Sequence, residues 1–235
     1  MIEMIGVYDY TVILTYASLL SGCLGLIVSM SGMGHPYYGM IFMMFSGLCD
    51  GFDGMVARTK KNRTELEKSF GAQIDSFADL ISFGVLPAMI GISLLRVSPF
   101  FHDVPHRSDD TGKLIWYPAV LVIVAITYVL TAMIRLAYFN ATENERIAER
   151  QESGTEYFRG LPVTSSAWIF PIVLMTNYIF KYDFSIVYFI VMAVLAVLFV
   201  TNIKIKKPGK KMLYLYVGIG LTEIIILTTM HLLRR

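Results

Sequence analysis

The chain has 235 residues, 55% of them hydrophobic and only 16% charged, and its mean hydropathy is +0.59 with a formal net charge of +2. That balance excludes a string of soluble domains on polar tethers and describes an integral membrane protein. With so little net charge, no nucleic-acid partner is expected.

Apolar runs of the roughly 20 residues needed to cross a bilayer recur seven times, at about 11–31, 38–57, 71–96, 115–140, 161–180, 184–203 and 211–233. The expected fold class is therefore all-α, a polytopic transmembrane helix bundle of about seven spans forming one domain over residues 1–235. The first run has no basic stretch before it and is followed by further spans, so it reads as a retained helix and not a cleaved signal. Cys23 and Cys49 lie inside apolar runs and read as small apolar fillers.

The second run ends in Cys49-Asp50-Gly-Phe-Asp53-Gly54-Met-Val-Ala57-Arg58, and the third begins with Gly71-Ala-Gln-Ile-Asp75-Ser-Phe-Ala-Asp79. In the loop between them, Thr64 and Glu67 have the spacing of a capping box for the third helix. His102, Asp103, His106, Asp109 and Asp110 cluster in the next loop and read as solvated groups. Arg135 falls at the end of the fourth run, and Pro171 interrupts the fifth.

Lys and Arg concentrate in alternate loops: 58–68, 141–160 and 204–211. By the positive-inside rule these loops face the cytoplasm, with the N-terminus inside and, for seven spans, the C-terminus outside. The sequons at Asn62 and Asn140 then lie on the cytoplasmic side and are not glycosylation sites. Trp116, Tyr117 and Trp168 near span ends read as interfacial anchors.

Charge at membrane depth costs roughly 2.5–3.5 kcal/mol per residue on insertion scales and usually marks function. Spacings of three (Asp50, Asp53) and four (Asp75, Asp79) put each acidic pair on one helix face. Antiparallel neighbours joined by the basic loop would bring all four carboxylates together at the cytoplasmic boundary. They cannot all stay ionised there without cations, and all-oxygen ligation suits Mg²⁺ or Mn²⁺, with Ca²⁺ also fitting. Gly54 and Ala57 leave room for a bulky ligand, Arg58 is placed for a phosphate, and Gly71 lets a second backbone approach. Phosphoryl chemistry on two ions is one reading. An ion- or proton-coupled transporter is the rival from another class.

These residues resemble the signature of the CDP-alcohol phosphotransferase family, D-x2-D-G-x2-A-R-x8-G-x3-D-x3-D. All eight positions are filled, with twelve residues in place of eight between Arg58 and Gly71. Further blocks, "DSFADLISFGVLPA" (75–88), "RLAYFNA" (135–141) and "YFRGLPVTSSA" (157–167), resemble the serine-using branch of that family, bacterial and archaeal. Relatives there commonly read Arg-Leu-Ala-Arg-Phe-Asn, where this chain has Tyr138 at the fourth place.

The resemblance implies transfer of a phosphatidyl-type group from CDP-diacylglycerol or CDP-archaeol to L-serine, releasing CMP, in an integral membrane homodimer with its site at the cytoplasmic face. It implies that Asp50 and Asp75 bridge two divalent ions, that Asp53 and Asp79 complete their shells, and that Asp79 takes the hydroxyl proton. Gly54, Ala57, Arg58 and Gly71 would line the CDP-lipid site, with Thr64 and Thr15 as further contacts; Thr15 could equally bond its own helix backbone. Arg135, Asn140 and Arg159 are the candidates for the serine carboxylate and ammonium. Other acceptors, namely inositol phosphate, glycerol phosphate or glycerol, fit the same signature.

Overall fold

The computed structural model describes residues 5–32, 36, 38–98, 111–153, 157–180, 185–206, 218, 222 and 229. All of the seventh apolar run, 211–233, except residues 218, 222 and 229, and the whole His102–Asp110 cluster lie outside the described residues.

Helices α1 (Ile13–Met30) and α2 (Tyr38–Ala57) form the most closely fitted pair. Small residues make that possible, because in a lipid environment helices associate through close packing and interhelical hydrogen bonds. A Cβ on Gly39 would fall 1.9 Å from Ser29 Oγ, and one on Gly25 would fall 3.0 Å from Phe42 Cβ. Serine hydroxyls fix the register: Ser46 donates to the Ser18 carbonyl at 2.9 Å, Ser18 returns a bond to Ser46 at 3.4 Å, and Ser21 donates to Phe42 at 2.8 Å.

The third span is longer than its apolar run suggested. Helix α3 (Glu65–Asp79) starts on the predicted capping box, in which the Thr64 hydroxyl accepts the Glu67 N–H and the Glu67 carboxylate accepts the Thr64 N–H. It continues through a π-helical turn, Leu80–Val85, into α4 (Leu86–Val97). Pro87 has no N–H, so the Phe83 carbonyl four residues earlier lacks its ordinary helical donor. Tyr128 Oη supplies one at 2.6 Å and Ser166 Oγ another at 3.2 Å. Ser82, in the same turn, donates to the Ser18 carbonyl at 3.3 Å and ties the π turn to α1.

Helix α5 (Thr111–Ala141) is followed by a short polar helix, α6 (Glu143–Ser153), in the basic loop. Strand β1 (Tyr157–Arg159) pairs antiparallel with β2 (Lys204–Lys206), Phe158 opposite Ile205. This ribbon is the one departure from helix among the described regular elements, and runs of three residues are too short to show a period of two in sequence. Gly160 follows at φ +82°, its N–H on the Ile203 carbonyl at 2.8 Å, where a Cβ would meet the Phe199 carbonyl at 2.7 Å. Helices α7 (Ser166–Phe180) and α8 (Ser185–Val200) complete the described bundle.

Phe83, Tyr128, Phe170, Tyr188 and Phe199 are fully buried at its centre, with Tyr128 edge-on to Phe170 at 5.7 Å between ring centroids. Tyr188 Oη donates to the Pro87 carbonyl at 2.8 Å. Among the described residues, four helical stretches are long and apolar enough to cross a membrane: 13–30, 38–57, 65–97 and 118–141. The apolar helices α7 and α8 are shorter, at 15 and 16 residues. Ile123, Ile126, Leu130 and Ile134 of α5 point outward at helical spacing, the apolar exterior a bilayer requires.

Candidate active site

The α1–α2 register and the α3 span bring the four acids together. One carboxylate oxygen from each of Asp50, Asp75 and Asp79 lies within 4.8 Å of the other two. An ion with oxygen ligands at about 2.0–2.6 Å bridges oxygens at most about 4–5 Å apart, so this triad fits a hard divalent cation. Asp53 sits beside it, its carboxyl within hydrogen-bonding reach of Asp75. Asp79 Oδ1 is buried and has no hydrogen-bond partner, which for a charged oxygen is a cost that a bound cation would relieve. Oxygen-only donors of this kind favour Mg²⁺, Mn²⁺ or Ca²⁺ over softer metals.

Thr15 belongs to this cluster. Its hydroxyl donates to Asp53 Oδ2 at 3.0 Å, both residues being buried. The helix-backbone alternative open in the sequence is thus not what the fold selects. The reason is register: the Ser18–Ser46 bonds hold α1 against α2 with Thr15 one turn further toward the acidic end.

The nucleotide candidates line the end of α2 and the start of α3. Gly54 is open on the side of Arg58, whose guanidinium lies 3.4 Å from where a Cβ would be. Arg58 itself is exposed, Ala57 half-buried. Gly71 admits a residue that the sequence reading passed over: Arg63 lies across it, and a Cβ there would fall 2.8 Å from Arg63 Nη2, which also donates to the Glu67 carbonyl at 3.1 Å. Thr64 remains in its cap. Lys60 joins Asp9 at 2.6 Å and Glu67 at 2.7 Å, so the N-terminal segment is strapped to this loop.

A cavity of about 110 Å³ opens beside the acids, walled by α3 (Ala72, Asp75, Ser76, Asp79), α5 (Leu136, Phe139, Asn140) and α6 (Glu143, Arg146). Asn140 faces it and donates to Ser76 Oγ at 2.8 Å. The other two serine candidates stand elsewhere. Arg135 is buried but not in the cavity wall; its Nη2 reaches the Gly160 carbonyl at 3.5 Å. Arg159 pairs with Glu149 at 2.5 Å and donates to Tyr138 Oη at 3.3 Å. The arginine that does line the cavity is Arg146, 8% exposed, its guanidinium 3.3 Å from the centroid of the Phe139 ring. In the sequence it is one of several basic residues in a loop, and nothing local sets it apart.

A helical frame of membrane-crossing length that gathers an oxygen-only cation cradle beside a small polar cavity is suited to metal-assisted chemistry on a phosphate ester at the membrane boundary. Residues 11–203 match CDP-alcohol phosphatidyltransferase, and the chain belongs to that family. It is 30% identical over 122 residues to the CDP-diacylglycerol–serine O-phosphatidyltransferase of Bacillus subtilis, covering 52% of this chain and 56% of that protein. The enzyme of the same name from Saccharomyces cerevisiae is 31% identical over 159 residues, 64% of this chain and 49% of the relative. The archaetidylserine synthase of Methanothermobacter thermautotrophicus is 31% identical over 147 residues, 63% and 49% respectively. The chain thus matches about half the length of these curated relatives.

Proposed function

We propose that the protein transfers a phosphatidyl or archaetidyl group from a CDP-linked lipid to L-serine and releases CMP at the cytoplasmic face of the membrane, as a homodimer. The observation that carries this is the double position of Asp79, which is a member of the carboxylate triad and also part of the cavity wall.

Asp50, Asp53, Asp75 and Asp79 would hold two divalent ions, Mg²⁺ or Mn²⁺ in the first instance. Such ions, when bound, supply positive charge to the diphosphate and to the departing nucleotide. The chain's own groups do the rest. Gly54 and Ala57 leave space for the nucleotide end of the donor, and Arg58, at the open end of α2, pairs with its diphosphate, Gly71 and Thr64 bounding the same mouth. Thr15 fixes the Asp53 carboxylate by its hydrogen bond. The acceptor alcohol enters from the cavity side, where Asp79 takes its hydroxyl proton. The freed oxygen forms a bond to the lipid-bearing phosphorus, the bond from that phosphorus to the CMP oxygen breaks, and CMP leaves with the electron pair. Named relatives that use serine support the choice of acceptor.

The test is an acceptor panel. Purified protein is given CDP-diacylglycerol or CDP-archaeol, Mn²⁺ or Mg²⁺, and labelled L-serine, inositol phosphate, glycerol phosphate or glycerol, and CMP is measured. Serine-dependent CMP release is expected. Release with one of the other alcohols and not with serine would overturn the acceptor assignment.

A further inference from the structure

We propose that Arg63 is a phosphate-binding residue of the donor site, its guanidinium taking the nucleotide-side phosphate of the CDP-linked lipid. The inference rests on the functional reading above and adds a residue that lies outside the signature, in the twelve-residue spacer between Arg58 and Gly71.

Place comes first. Arg63 Nη2 donates to the Glu67 carbonyl at 3.1 Å and stands 2.8 Å from where a Cβ on Gly71 would be. Any larger residue at 71 would push the guanidinium away. Gly71 precedes Asp75 by four residues on α3 and so shares its helix face, which puts the guanidinium about one turn from that acid. The α2 side repeats the arrangement. Gly54 follows Asp50 by four residues, and Arg58 Nη1 stands 3.4 Å from where a Cβ on Gly54 would be. Since α2 runs into the loop and α3 runs out of it, both glycines lie on the loop side of the acids, at the mouth of the site.

Charge comes second. Lys60 is matched to Asp9 and Glu67, and Lys68 to Glu65. The Glu67 carboxylate is taken by Lys60 and the Thr64 N–H, so it offers Arg63 only the backbone carbonyl. Among the described residues Arg63 has no carboxylate partner, and its Nε is buried with no hydrogen-bond partner. A half-buried guanidinium in that state suits an anion from outside the chain. Four carboxylates and two divalent ions would cancel, leaving the donor's diphosphate, with one negative charge on each phosphate, to Arg58 and Arg63 together.

Depth assigns the phosphates. Asp79 lies eight residues beyond Gly71, about 12 Å further along α3 at 1.5 Å per residue. The phosphorus under attack belongs near Asp79, so the arginine at Gly71 meets the outer phosphate, the one that leaves with CMP.

The experiment compares the unaltered protein with Arg63→Gln, Arg63→Lys and Lys61→Gln in a neutral detergent with Mg²⁺, and again in vesicles containing phosphatidylglycerol. The KM for CDP-diacylglycerol, the KM for L-serine and the affinity for CMP, read from the rise in melting temperature, are measured separately. Losing a charged hydrogen bond predicts that Arg63→Gln weakens CMP and raises the CDP-diacylglycerol KM by roughly ten- to hundredfold, while the serine KM stays within about twofold. Arg63→Lys should recover part of both losses. Lys61→Gln removes an exposed charge from the same loop and should change neither. CMP affinity unchanged in Arg63→Gln would overturn the proposal, and a lower melting temperature of that variant without nucleotide would then mark Arg63 as a clip on the first turn of α3. Equal losses in Arg63→Gln and Lys61→Gln, or a loss confined to the anionic vesicles, would overturn it in favour of diffuse loop charge or a lipid-headgroup contact. Absence of both CMP binding and CMP release by the unaltered protein would overturn the functional reading itself, and the proposal with it.

Discussion

The two sides of the site handle buried charge in opposite ways. On the α2–α3 side, Asp50, Asp53, Asp75 and Asp79 face one another, and among the described residues the side-chain hydrogen bond they receive from outside the cluster is that of the Thr15 hydroxyl. On the basic side each arginine meets a neighbour within the chain: Arg146 of α6 the Phe139 ring, Arg135 of α5 the Gly160 carbonyl, and Arg159 of β1 the Glu149 carboxylate. The acidic side is therefore incomplete by itself and calls for cations from outside, while the basic side is already held in shape. A site that must bind ions and then bind a small acceptor gains from this division, because only the first half has to wait for a ligand to become rigid.

The sharpest way to break that contrast is to remove the acid that belongs to both halves. Asp79→Asn is isosteric and relieves like-charge repulsion, so the protein should fold with undiminished thermal stability, while CMP release falls by roughly 10²- to 10⁴-fold, the range for loss of a general base. Loss of activity accompanied by a large drop in melting temperature would instead mark Asp79 as structural.

Next in size is removal of the ions. A ligand present at about a hundred times its Kd stabilises the state it binds by about 2.7 kcal/mol, so adding Mn²⁺ or Mg²⁺ to chelator-treated protein should raise the melting temperature by several degrees. The same titration on Asp50→Asn should show little or no rise. An equal rise in both would place the ions somewhere other than the triad.

The frame beneath the acids can be tested at Tyr128. Tyr128→Phe leaves the Phe83 carbonyl with Ser166 as its remaining side-chain donor, in the π turn directly after Asp79. The expected cost is about 0.5–1.5 kcal/mol of stability, read as a lower melting temperature, with the divalent-dependent rise preserved.

The smallest effect concerns the strap outside the membrane. Lys60, and after it the Thr11 hydroxyl, hold the Asp9 carboxyl at about 2, below its ordinary value. A depressed carboxyl contributes stability above its unfolded value, near 3.9, and loses it as pH falls through about 2. The melting difference between the unaltered protein and Asp9→Asn should therefore be constant from neutral pH down to about 4 and vanish near 2. A difference that grows on acidification would contradict the Asp9–Lys60 pairing.

What the sequence could show follows from how local each feature is. The acidic pairs are legible because three- and four-residue spacing on a helix already places the side chains, and the capping box at Thr64 is a pattern within four residues. The cation cradle is two such patterns facing each other. Thr15 needed the α1–α2 register, which depends on hydroxyl-to-carbonyl bonds that no periodicity reveals. Arg146 was hidden for a similar reason: it shares a polar segment with Arg150 and Arg159, and only the apposition of α6 with α3 and α5 separates a cavity-lining arginine from its neighbours. Arg135, conspicuous as a charge at the end of an apolar run, is buried with its Nη2 3.5 Å from the Gly160 carbonyl and does not line the cavity beside the acids. The π turn was equally silent, since the local pattern shows only Pro87, which withholds an N–H from the Phe83 carbonyl four residues earlier.

The central claim is a chemical one, that this membrane bundle joins a CDP-linked lipid to serine. Purified protein in phosphatidylcholine vesicles with CDP-diacylglycerol, labelled L-serine and Mn²⁺ tests it most directly, by measuring CMP and labelled lipid together. The account predicts that both appear in equal amounts, that neither forms without serine or after chelation, and that both fall by roughly 10²- to 10⁴-fold with Asp79→Asn. Divalent-dependent movement of ions or protons across the vesicle wall, with no CMP and no labelled lipid, would contradict it.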